Sequence, residues 1–372
     1  MSVKTPQIPP SATTGGDDSL RNYLVTEFVE DFKEGHLSRR DALKKLAAIF
    51  GSMSVATSFL AACAPAPTVT PAPTAVPPTA TRVPPTNTAV PPTATNVPPT
   101  ATAVPPTATA TRPPATATPG ASGTITATPA PTGNPVTINP NDPDIEARMV
   151  EYDSKTFKIA AYLAKPKGPG PFPIVLVCHE NRGLLEHIKD VARRFAKVGY
   201  AALAVGLLSR DGGTEKVGAN IPGVLGNAPP AQFVEDFQAG LKYMQAQTFV
   251  AKDKVGMTGF CFGGGITWRC ATQMPELKAA VPYYGPNPPL EDIPNVKAAV
   301  LAMYGGNDAR INAGIPAVED AMKKANKTFE KMIYDGANHA FNNDTNPGSY
   351  NANAAKDAWA KMLAWFDKYV KA

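Results

Sequence analysis

The stretch that most constrains the fold of this 372-residue chain is residues 254–265, which read KVGMTGFCFGGG. Its apolar residues predict a short buried strand, and a helix is expected to begin near Phe262. A single turn carrying Cys261 separates the two elements, which requires a strained backbone at that residue. Gly259 and Gly263 suit such a turn, because larger side chains there would collide with the strand or the helix. The stretch therefore predicts a strand–turn–helix unit with a thiol at its apex.

The pattern Gly259-x-Cys261-x-Gly263 matches the nucleophile elbow of α/β-hydrolases, with sulfur in place of the usual serine oxygen. In such an elbow the amide that follows the nucleophile, here the Phe262 N–H, points at the oxyanion that forms during acyl transfer. A buried structural cysteine in a glycine-rich turn would give the same pattern. The other reactive side chains of the chain are therefore needed to choose between these interpretations.

Composition divides the chain into three predicted regions, residues 1–63, 64–135 and 136–372. The first carries seven basic and seven acidic side chains, and the second carries two arginines and no acid. The net charge of about +3 that remains on the third is too small and too mixed to indicate a nucleic-acid partner. The third region is long enough for one α/β domain with a substantial core.

Cysteine and histidine spacing gives no indication of a metal site. The four cysteines are Cys63, Cys178, Cys261 and Cys270, and they form no C-x-x-C pair. The four histidines also lack the spacing of zinc ligands. We therefore expect neither a metal nor a cofactor.

Residues 1–63 combine a short predicted amphipathic helix at 19–37 with features of an export signal. Arg39 and Arg40 lie in SRRDALK, which resembles the twin-arginine export motif, and the modestly apolar run that follows ends in LAAC at Cys63, as in a lipoprotein processing box. The run is too short and too polar for a comfortable membrane span, which favours a cleaved signal and lipidation of Cys63 over an uncleaved anchor. Both interpretations place the third region outside the cytoplasmic membrane, attached to it.

Residues 64–135 are almost entirely proline, threonine and alanine, with V-P-P-T units at seven-residue spacing. Paired prolines are incompatible with a helix. The composition instead predicts a disordered, extended and semi-rigid stalk.

Strand and helix patterns alternate through the third region. The predicted strands are 147–152, 157–163, 174–178, 201–205, the strand before the elbow, 279–284, 298–304 and 328–334. A long glycine-rich excursion at 208–230 follows the fourth strand. This alternation predicts a mainly parallel, doubly wound sheet flanked by helices, with the reacting groups beyond the carboxyl ends of the strands.

A nucleophile of this kind needs a base, and the base needs an orienting acid. His339 is the only histidine after the elbow, and Asp308 follows the preceding predicted strand. Nucleophile, acid and histidine in this order are the α/β-hydrolase arrangement. Asp335 is the rival acid, but it lies only four residues before His339 at the same strand end.

A second polar cluster, CHENRG at 178–183, follows the strand at 174–178. The loop at this place supplies the second oxyanion donor in the α/β-hydrolase fold, and the Asn181 N–H is the candidate. Glu180 could hold or accept the thiol proton, or it could form a salt bridge with Arg182 or Arg210. His179 is expected to be structural.

With these residues placed, the stretch 147–370 resembles the dienelactone hydrolase family, the carboxymethylenebutenolidases. The segments that carry the resemblance are HENRGL at 179–184, GFCFGG at 259–264, AVPYYG at 280–285 and GANHAF at 336–341. The resemblance implies an α/β-hydrolase fold and a triad that opens lactone or ester carbonyls. It implies Cys261 as nucleophile, His339 as base, Asp308 as orienting acid and Glu180 as accessory acid or base.

Two departures from the family pattern concern the substrate. The family's carboxylate-binding arginine, four residues after the catalytic histidine, is matched by Asn343, and the aspartate common after the fourth strand is Gly206. A second arginine would fall in the excursion, where only Arg210 is available. The residues expected to contact substrate are Arg182, Tyr283, Phe341 and Asn343.

The hypothesis that follows is a lipid-anchored, extracytoplasmic cysteine hydrolase of small activated esters or lactones. A broad carboxylesterase or thioesterase with the same triad is a second possibility. A non-catalytic binding domain mounted on a stalk is a third, although no member of the triad is missing.

Overall fold

Eight strands form the central sheet of the structure, a computed structural model that describes residues 7–9, 18–63 and 137–372. They are β1 (Ile145–Ser154), β2 (Phe157–Pro166), β3 (Phe172–Cys178), β4 (Ala201–Val205), β5 (Val250–Phe260), β6 (Ala279–Tyr283), β7 (Ala299–Gly305) and β8 (Phe329–Tyr334). Their order across the sheet is β1-β2-β4-β3-β5-β6-β7-β8. The β1–β2 and β2–β4 pairs are antiparallel, and all other pairs are parallel. The predicted α/β fold with a mainly parallel sheet is confirmed, whereas the predicted stalk at 64–135 lies outside the described residues.

Helices connect and cover these strands. They are α1 (Ser19–Lys33), α2 (Arg39–Phe50), α3 (Met53–Cys63), α4 (Glu186–Lys197), α5 (Thr214–Val217), α6 (Ile221–Asn227), α7 (Pro230–Gln245), α8 (Phe262–Gln273), α9 (Ala309–Asn312), α10 (Ile315–Lys324) and α11 (Ala352–Phe366). Short 3₁₀ turns lie at Ser209–Asp211, Gly218–Asn220 and Leu290–Asn295, and a π-helical turn at Asp367–Lys371 follows α11. The long excursion after β4 therefore contains α5 and α6.

Helices cover both faces of the sheet, so the side chains on both faces of its central strands are apolar and buried. Every residue of β4 is buried, and so is the apolar run of β3, as expected for parallel strands in the middle of a layered α/β structure. On one face α4 and α11 pack together, with the Phe195 ring 4.8 Å from that of Trp359 and 6.0 Å from that of Phe366. The polar clusters singled out in the sequence follow the carboxyl ends of β3, β5, β7 and β8.

The first three helices pack on the excursion rather than standing apart, so that residues 18–63 and 137–372 belong to one compact unit. A Cβ on Gly223 of α6 would lie 2.4 Å from the Ala48 carbonyl oxygen, and Asn227 Nδ2 donates to the Ile49 carbonyl at 3.0 Å. Leu24 of α1 is fully buried and lies 3.5 Å from the position of a Cβ on Gly226. Among the described residues, no helix has both the length and the apolar character needed to cross a bilayer.

Candidate active site

The turn between β5 and α8 has the strain expected of an elbow. Cys261 has φ of 57° and ψ of −120°, a conformation that non-glycine residues rarely adopt. A Cβ on Gly259 would lie 2.3 Å from the Gly263 carbonyl oxygen, and one on Gly263 would lie 2.4 Å from the His179 carbonyl oxygen. Phe262 begins α8, so its N–H has no acceptor within the helix. The two glycines thus permit a turn that presents the Cys261 thiol beside a helix N-terminus.

Asp308 and His339 meet beyond the ends of β7 and β8. The Asp308 Oδ2 atom lies 2.5 Å from His339 Nδ1, and its Oδ1 accepts a hydrogen bond from the Ile311 N–H at 3.3 Å. The rival acid, Asp335, has an exposed side chain. Of the two acids suggested by the sequence, Asp308 is therefore the one that holds the His339 ring.

The charges of this pair stabilise each other. Burial opposes the charge on His339, but the Asp308 carboxylate outweighs it and raises the pKa of the imidazole well above its usual value. Burial likewise opposes the charge on Asp308, and His339 nevertheless lowers the pKa of that carboxyl. With Nδ1 bonded to Asp308, the buried Nε2 has no hydrogen-bond partner among the described residues. That nitrogen is the one available to exchange a proton with a reacting group.

The cluster after β3 lies against the same site, but its members differ in their partners. The Glu180 Oε2 atom accepts a hydrogen bond from Asn343 Nδ2 at 2.7 Å, Oε1 is buried without a partner in the described structure, and burial raises the pKa of this carboxyl. His179 Nδ1 lies 2.6 Å from the Glu180 carbonyl, and its Nε2 accepts from the Leu207 N–H at 3.2 Å. Both ring nitrogens of His179 are thus occupied by backbone, and burial lowers the pKa of that ring to about 4.

The salt bridge considered for Glu180 does not form among the described residues. Arg210 pairs instead with Asp236, and its guanidinium lies 4.5 Å from the centre of the Phe157 ring. Arg182 is exposed and borders the active-site cavity. Arg210 is therefore unavailable as a replacement for the family's substrate-binding arginine.

A cavity of about 580 Å³ opens onto Cys261 and His339. Of the residues expected to contact substrate, Arg182 and Asn343 line it. Tyr283 and Phe341 are not among its lining residues, and both side chains are fully buried behind the site. The Tyr283 ring packs 4.9 Å from that of Phe260, and the Phe341 ring packs 5.1 Å from that of Tyr334. Tyr283 ends β6 and Phe341 lies in the turn after β8, and both rings point into the core.

The two departures from the family pattern have structural reasons. Asn343 is 3% exposed. Its Oδ1 accepts hydrogen bonds from the Thr345 N–H at 3.0 Å and from the Thr345 hydroxyl at 2.7 Å. Its Nδ2 donates a hydrogen bond to the Glu180 carboxylate. All of its polar atoms therefore have protein partners. A Cβ on Gly206 would lie 2.7 Å from the Ala160 carbonyl oxygen, which leaves no room there for an aspartate side chain.

Two residues of the first helix reach the thiol, and the sequence analysis missed both. Tyr23 Oη lies 3.3 Å from Cys261 Sγ, and the Glu27 carboxylate oxygens lie 3.5 and 3.7 Å from the same sulfur. Glu27 Oε1 also accepts a hydrogen bond from Asn181 Nδ2 at 2.7 Å. The sequence held one signal: Tyr23 and Glu27 are spaced i,i+4 beside the buried Leu24 and Phe28, so an acid lies on the apolar side of α1.

Arg310 of α9 holds the same face of α1. Its Nε lies 2.9 Å from a Glu30 carboxylate oxygen, and its guanidinium lies 4.7 Å from the centre of the Tyr23 ring. Arg310 comes two residues after Asp308. The loop that orients His339 thus also contacts the first helix.

The surroundings of the Cys261 thiol disfavour its ionised form. Burial raises the pKa of Cys261, the Glu27 carboxylate raises it further, and His339 lowers it without reversing the shift. Only 3% of the Cys261 surface is exposed. The sulfur is thus a shielded S–H group that donates to Glu27.

Glu27, Cys261 and His339 also form a set of possible metal ligands. One donor atom from each lies within 4.8 Å of the others. A thiolate, an imidazole and a carboxylate are ligands that Zn²⁺ accepts. Such an ion would block the thiol, so assays of this protein should contain a chelator.

Comparisons with known proteins agree with the geometry. Residues 159–370 match the Dienelactone hydrolase family. A protein of Methylorubrum extorquens named "Putative carboxymethylenebutenolidase" is 39% identical over 57% of this chain and 77% of its own length. A protein of Salmonella typhimurium with the same name is 36% identical over 63% of this chain and 92% of its own length.

Two solved structures extend the likeness to three dimensions. A Klebsiella pneumoniae protein titled "Putative Dienelactone Hydrolase" is 35% identical with a TM-score of 0.57, covering 60% of this chain and 99% of its own. A dienelactone hydrolase-like promiscuous phosphotriesterase from metagenomic libraries is 28% identical with a TM-score of 0.55, covering 61% of this chain and 99% of its own. In all four comparisons the unmatched part of this chain is more than a third of its length.

Proposed function

Because this chain belongs to the dienelactone hydrolase family, we propose that it hydrolyses small activated esters or lactones through a Cys261–His339–Asp308 triad. The observation that carries the proposal is the 2.5 Å contact between Asp308 Oδ2 and His339 Nδ1 beside a cysteine at the apex of a strained elbow. Asp308 holds the ring so that Nε2 serves as the base. Glu180 remains the proposed accessory acid or base.

The proposed reaction has two halves. The Cys261 thiol gives its proton to His339 Nε2 as the sulfur attacks the carbonyl carbon, and the N–H groups of Phe262 and Asn181 bind the resulting oxyanion. The oxyanion collapses and expels the leaving oxygen, which takes the proton from the imidazolium and leaves a thioester. Water then attacks the thioester, His339 accepts the water proton, and the released sulfur regains it as the carboxylic acid departs.

Sulfur restricts the substrates that this reaction can open. The first tetrahedral intermediate expels whichever leaving group is the weaker base. Simple alkoxides are stronger bases than a thiolate, so the intermediate returns to the starting ester. Enolates and phenolates are weak enough bases to leave. We therefore propose enol lactones, enol esters and aryl esters as the substrate class.

The proposed thioester is the intermediate that tests the function. Incubating the full chain with an excess of a slowly hydrolysed aryl ester should add one acyl group to the Cys261 peptide, detected by mass spectrometry after acid quench. The adduct should be cleaved by hydroxylamine, as a thioester is. Acylation of another residue while the Cys261 peptide stays unmodified would contradict the proposed nucleophile.

Substrate charge should matter little, because the polar atoms of Asn343 are already bonded and Arg210 is held by Asp236. A charge-assisted contact to an arginine is worth roughly 1.5–3 kcal/mol, which corresponds to about ten- to hundred-fold in kcat/KM. We expect a neutral aryl ester and its carboxylate-bearing analogue to have kcat/KM values within about tenfold of each other. The measurement is steady-state kinetics of the matched pair on the full chain.

Arg182→Gln is the informative variant for this comparison, because Arg182 is exposed and lines the cavity, whereas Arg310 is paired with Glu30. The substitution should lower kcat/KM for the anionic substrate only. A strong preference of the wild type for the anion would contradict the prediction. If the preference for the anionic substrate remained in Arg182→Gln, a cation other than Arg182 would be binding the substrate carboxylate.

We also propose that the protein is exported through its twin-arginine motif and anchored by lipid on Cys63. The support is the sequence pattern around Arg39, Arg40 and Cys63. One acyl chain binds a membrane only marginally, so stable anchoring requires the several chains that bacterial lipoprotein processing adds.

Metabolic labelling with a palmitate analogue tests the anchor. Cys63→Ser should abolish the label, and Arg39→Lys combined with Arg40→Lys should keep the unprocessed protein in the cytoplasm. Cys270→Ala, which changes a buried cysteine of the catalytic region, is the control and should be labelled as the wild type is. Equal labelling of Cys63→Ser and wild type would remove the lipoprotein proposal.

A further inference from the structure

The oxygen atoms of α1 lie where a substrate must approach the nucleophile. A carbonyl carbon has to come within about 3–3.5 Å of the sulfur to be attacked. The Tyr23 hydroxyl and one Glu27 carboxylate oxygen already occupy that shell, at 3.3 and 3.5 Å from Cys261 Sγ, and the second Glu27 oxygen lies just beyond it at 3.7 Å. Both side chains are 6% exposed, so they do not swing freely away from the thiol. Acyl transfer therefore requires α1 to move.

The contact is built into the fold at several points along α1. Its first residue, Ser19, accepts a hydrogen bond from Arg269 of α8, and Glu30 near its other end pairs with Arg310 of α9. Leu24 and Phe28 between them are 0% and 1% exposed. Polar contacts at both ends and buried apolar side chains in the middle specify one docked position.

From these contacts we infer that α1 is an intramolecular cap, in which Glu27 and Tyr23 close the approach to the Cys261 thiol until the helix leaves. The inference rests on the proposed function, because it gives Cys261 the role of nucleophile. It also gives the proposed processing at Cys63 a second consequence. Cleavage before Cys63 detaches residues 1–62, which include both side chains, so the enzyme would gain activity when it is processed.

The test uses the full chain and point variants, with EDTA present to remove metal from the thiol. Glu27→Gln removes the charge but keeps the shape of the side chain, and Leu24→Ala weakens the docking of α1 without touching the thiol. Asn22→Ala, an exposed position on the same helix, is the matched control. Two rates are measured at neutral pH: alkylation of Cys261 by iodoacetamide, followed by peptide mass spectrometry, and kcat/KM for an aryl ester.

A cap predicts that both rates rise. Loss of a charge-assisted hydrogen bond corresponds to about tenfold or more in the population of reactive thiol. We expect an increase of this size in Glu27→Gln and in Leu24→Ala, and no change in Asn22→Ala. The Leu24→Ala result separates docking from chemistry, because a buried leucine can influence the thiol only through the position of α1.

Three results would overturn the cap. Alkylation rates equal to wild type in both variants would mean that α1 does not shield the thiol. A fall of ester hydrolysis in Glu27→Gln, with alkylation unchanged, would make Glu27 a participant in the reaction. Faster hydrolysis in Asn22→Ala as well would point to a general loosening of the protein. Failure of the proposed function looks different: alkylation of Cys261 still rises in the variants, but no variant hydrolyses any ester.

Discussion

Cys261→Ala should abolish ester turnover, lowering kcat by roughly 10³-fold or more, because no other group at the elbow can form the acyl-enzyme. The substitution trims a side chain that is already in the strained turn and leaves the flanking glycines in place. The midpoint of thermal unfolding should therefore stay close to that of wild type. Steady-state kinetics and a thermal melt on the same preparation check the two parts of the prediction.

Cys178→Ala and Cys270→Ala are the controls for this loss. Both cysteines are buried, and burial raises the pKa of each thiol. They are expected to be inert packing groups, so both variants should retain most of the wild-type kcat. If Cys178→Ala lost activity with its fold intact while Cys261→Ala kept it, the proposed nucleophile would be wrong.

Asp308→Asn should lower kcat by about 10³–10⁴-fold, the size of effect expected when the acid of such a triad loses its charge. The Asp308 carboxylate accepts a hydrogen bond from the Nδ1–H group of His339. An asparagine amide can instead turn its NH₂ group toward the ring, which favours the tautomer with the proton on Nε2. The charge that raises the pKa of His339 is also lost. The acid limb of the pH–rate profile should therefore move to lower pH, which a purely structural change would not produce.

Asp335→Asn is the matched control, because this aspartate was the rival acid and lies four residues from His339. Its side chain is exposed. The variant should keep the wild-type kcat and the wild-type pH profile. Comparable losses in both variants would mean that the local charge of this strand end matters and that Asp308 has no special role.

The sequence alone determined the scaffold and the placement of the reactive groups. Buried parallel strands are continuous apolar runs and their helices are amphipathic, so both can be recognised locally, as with β3 and β4. The elbow could be recognised because its glycines are required by backbone geometry within a few residues. In a parallel sheet the carboxyl ends of the strands share one edge, so placing Asp308 and His339 after two strands was enough to predict that they would lie near Cys261.

Only the tertiary structure decided which partners these side chains have. Tyr283 and Phe341 were expected to contact the substrate, but Tyr283 packs on Phe260 of β5, Phe341 packs on Tyr334 of β8, and both rings are buried. Asn343 lies four residues after His339 in the sequence. Its side-chain amide nevertheless donates a hydrogen bond to Glu180, which is 163 residues away. These outcomes depend on how distant segments pack, and no local pattern records that.

The docking of α1 is the feature that depends most on tertiary structure. The amphipathic pattern of residues 19–37 predicted a helix and a buried face, and the structure has that helix at Ser19–Lys33. It did not indicate what the face would cover, because an apolar stripe specifies that a surface is buried but not against which partner. The excursion after β4 supplies α6 as a support for α1 and α2, and Arg310 supplies an ion pair. Together they bring Glu27 to a thiol that lies 234 residues further along the chain.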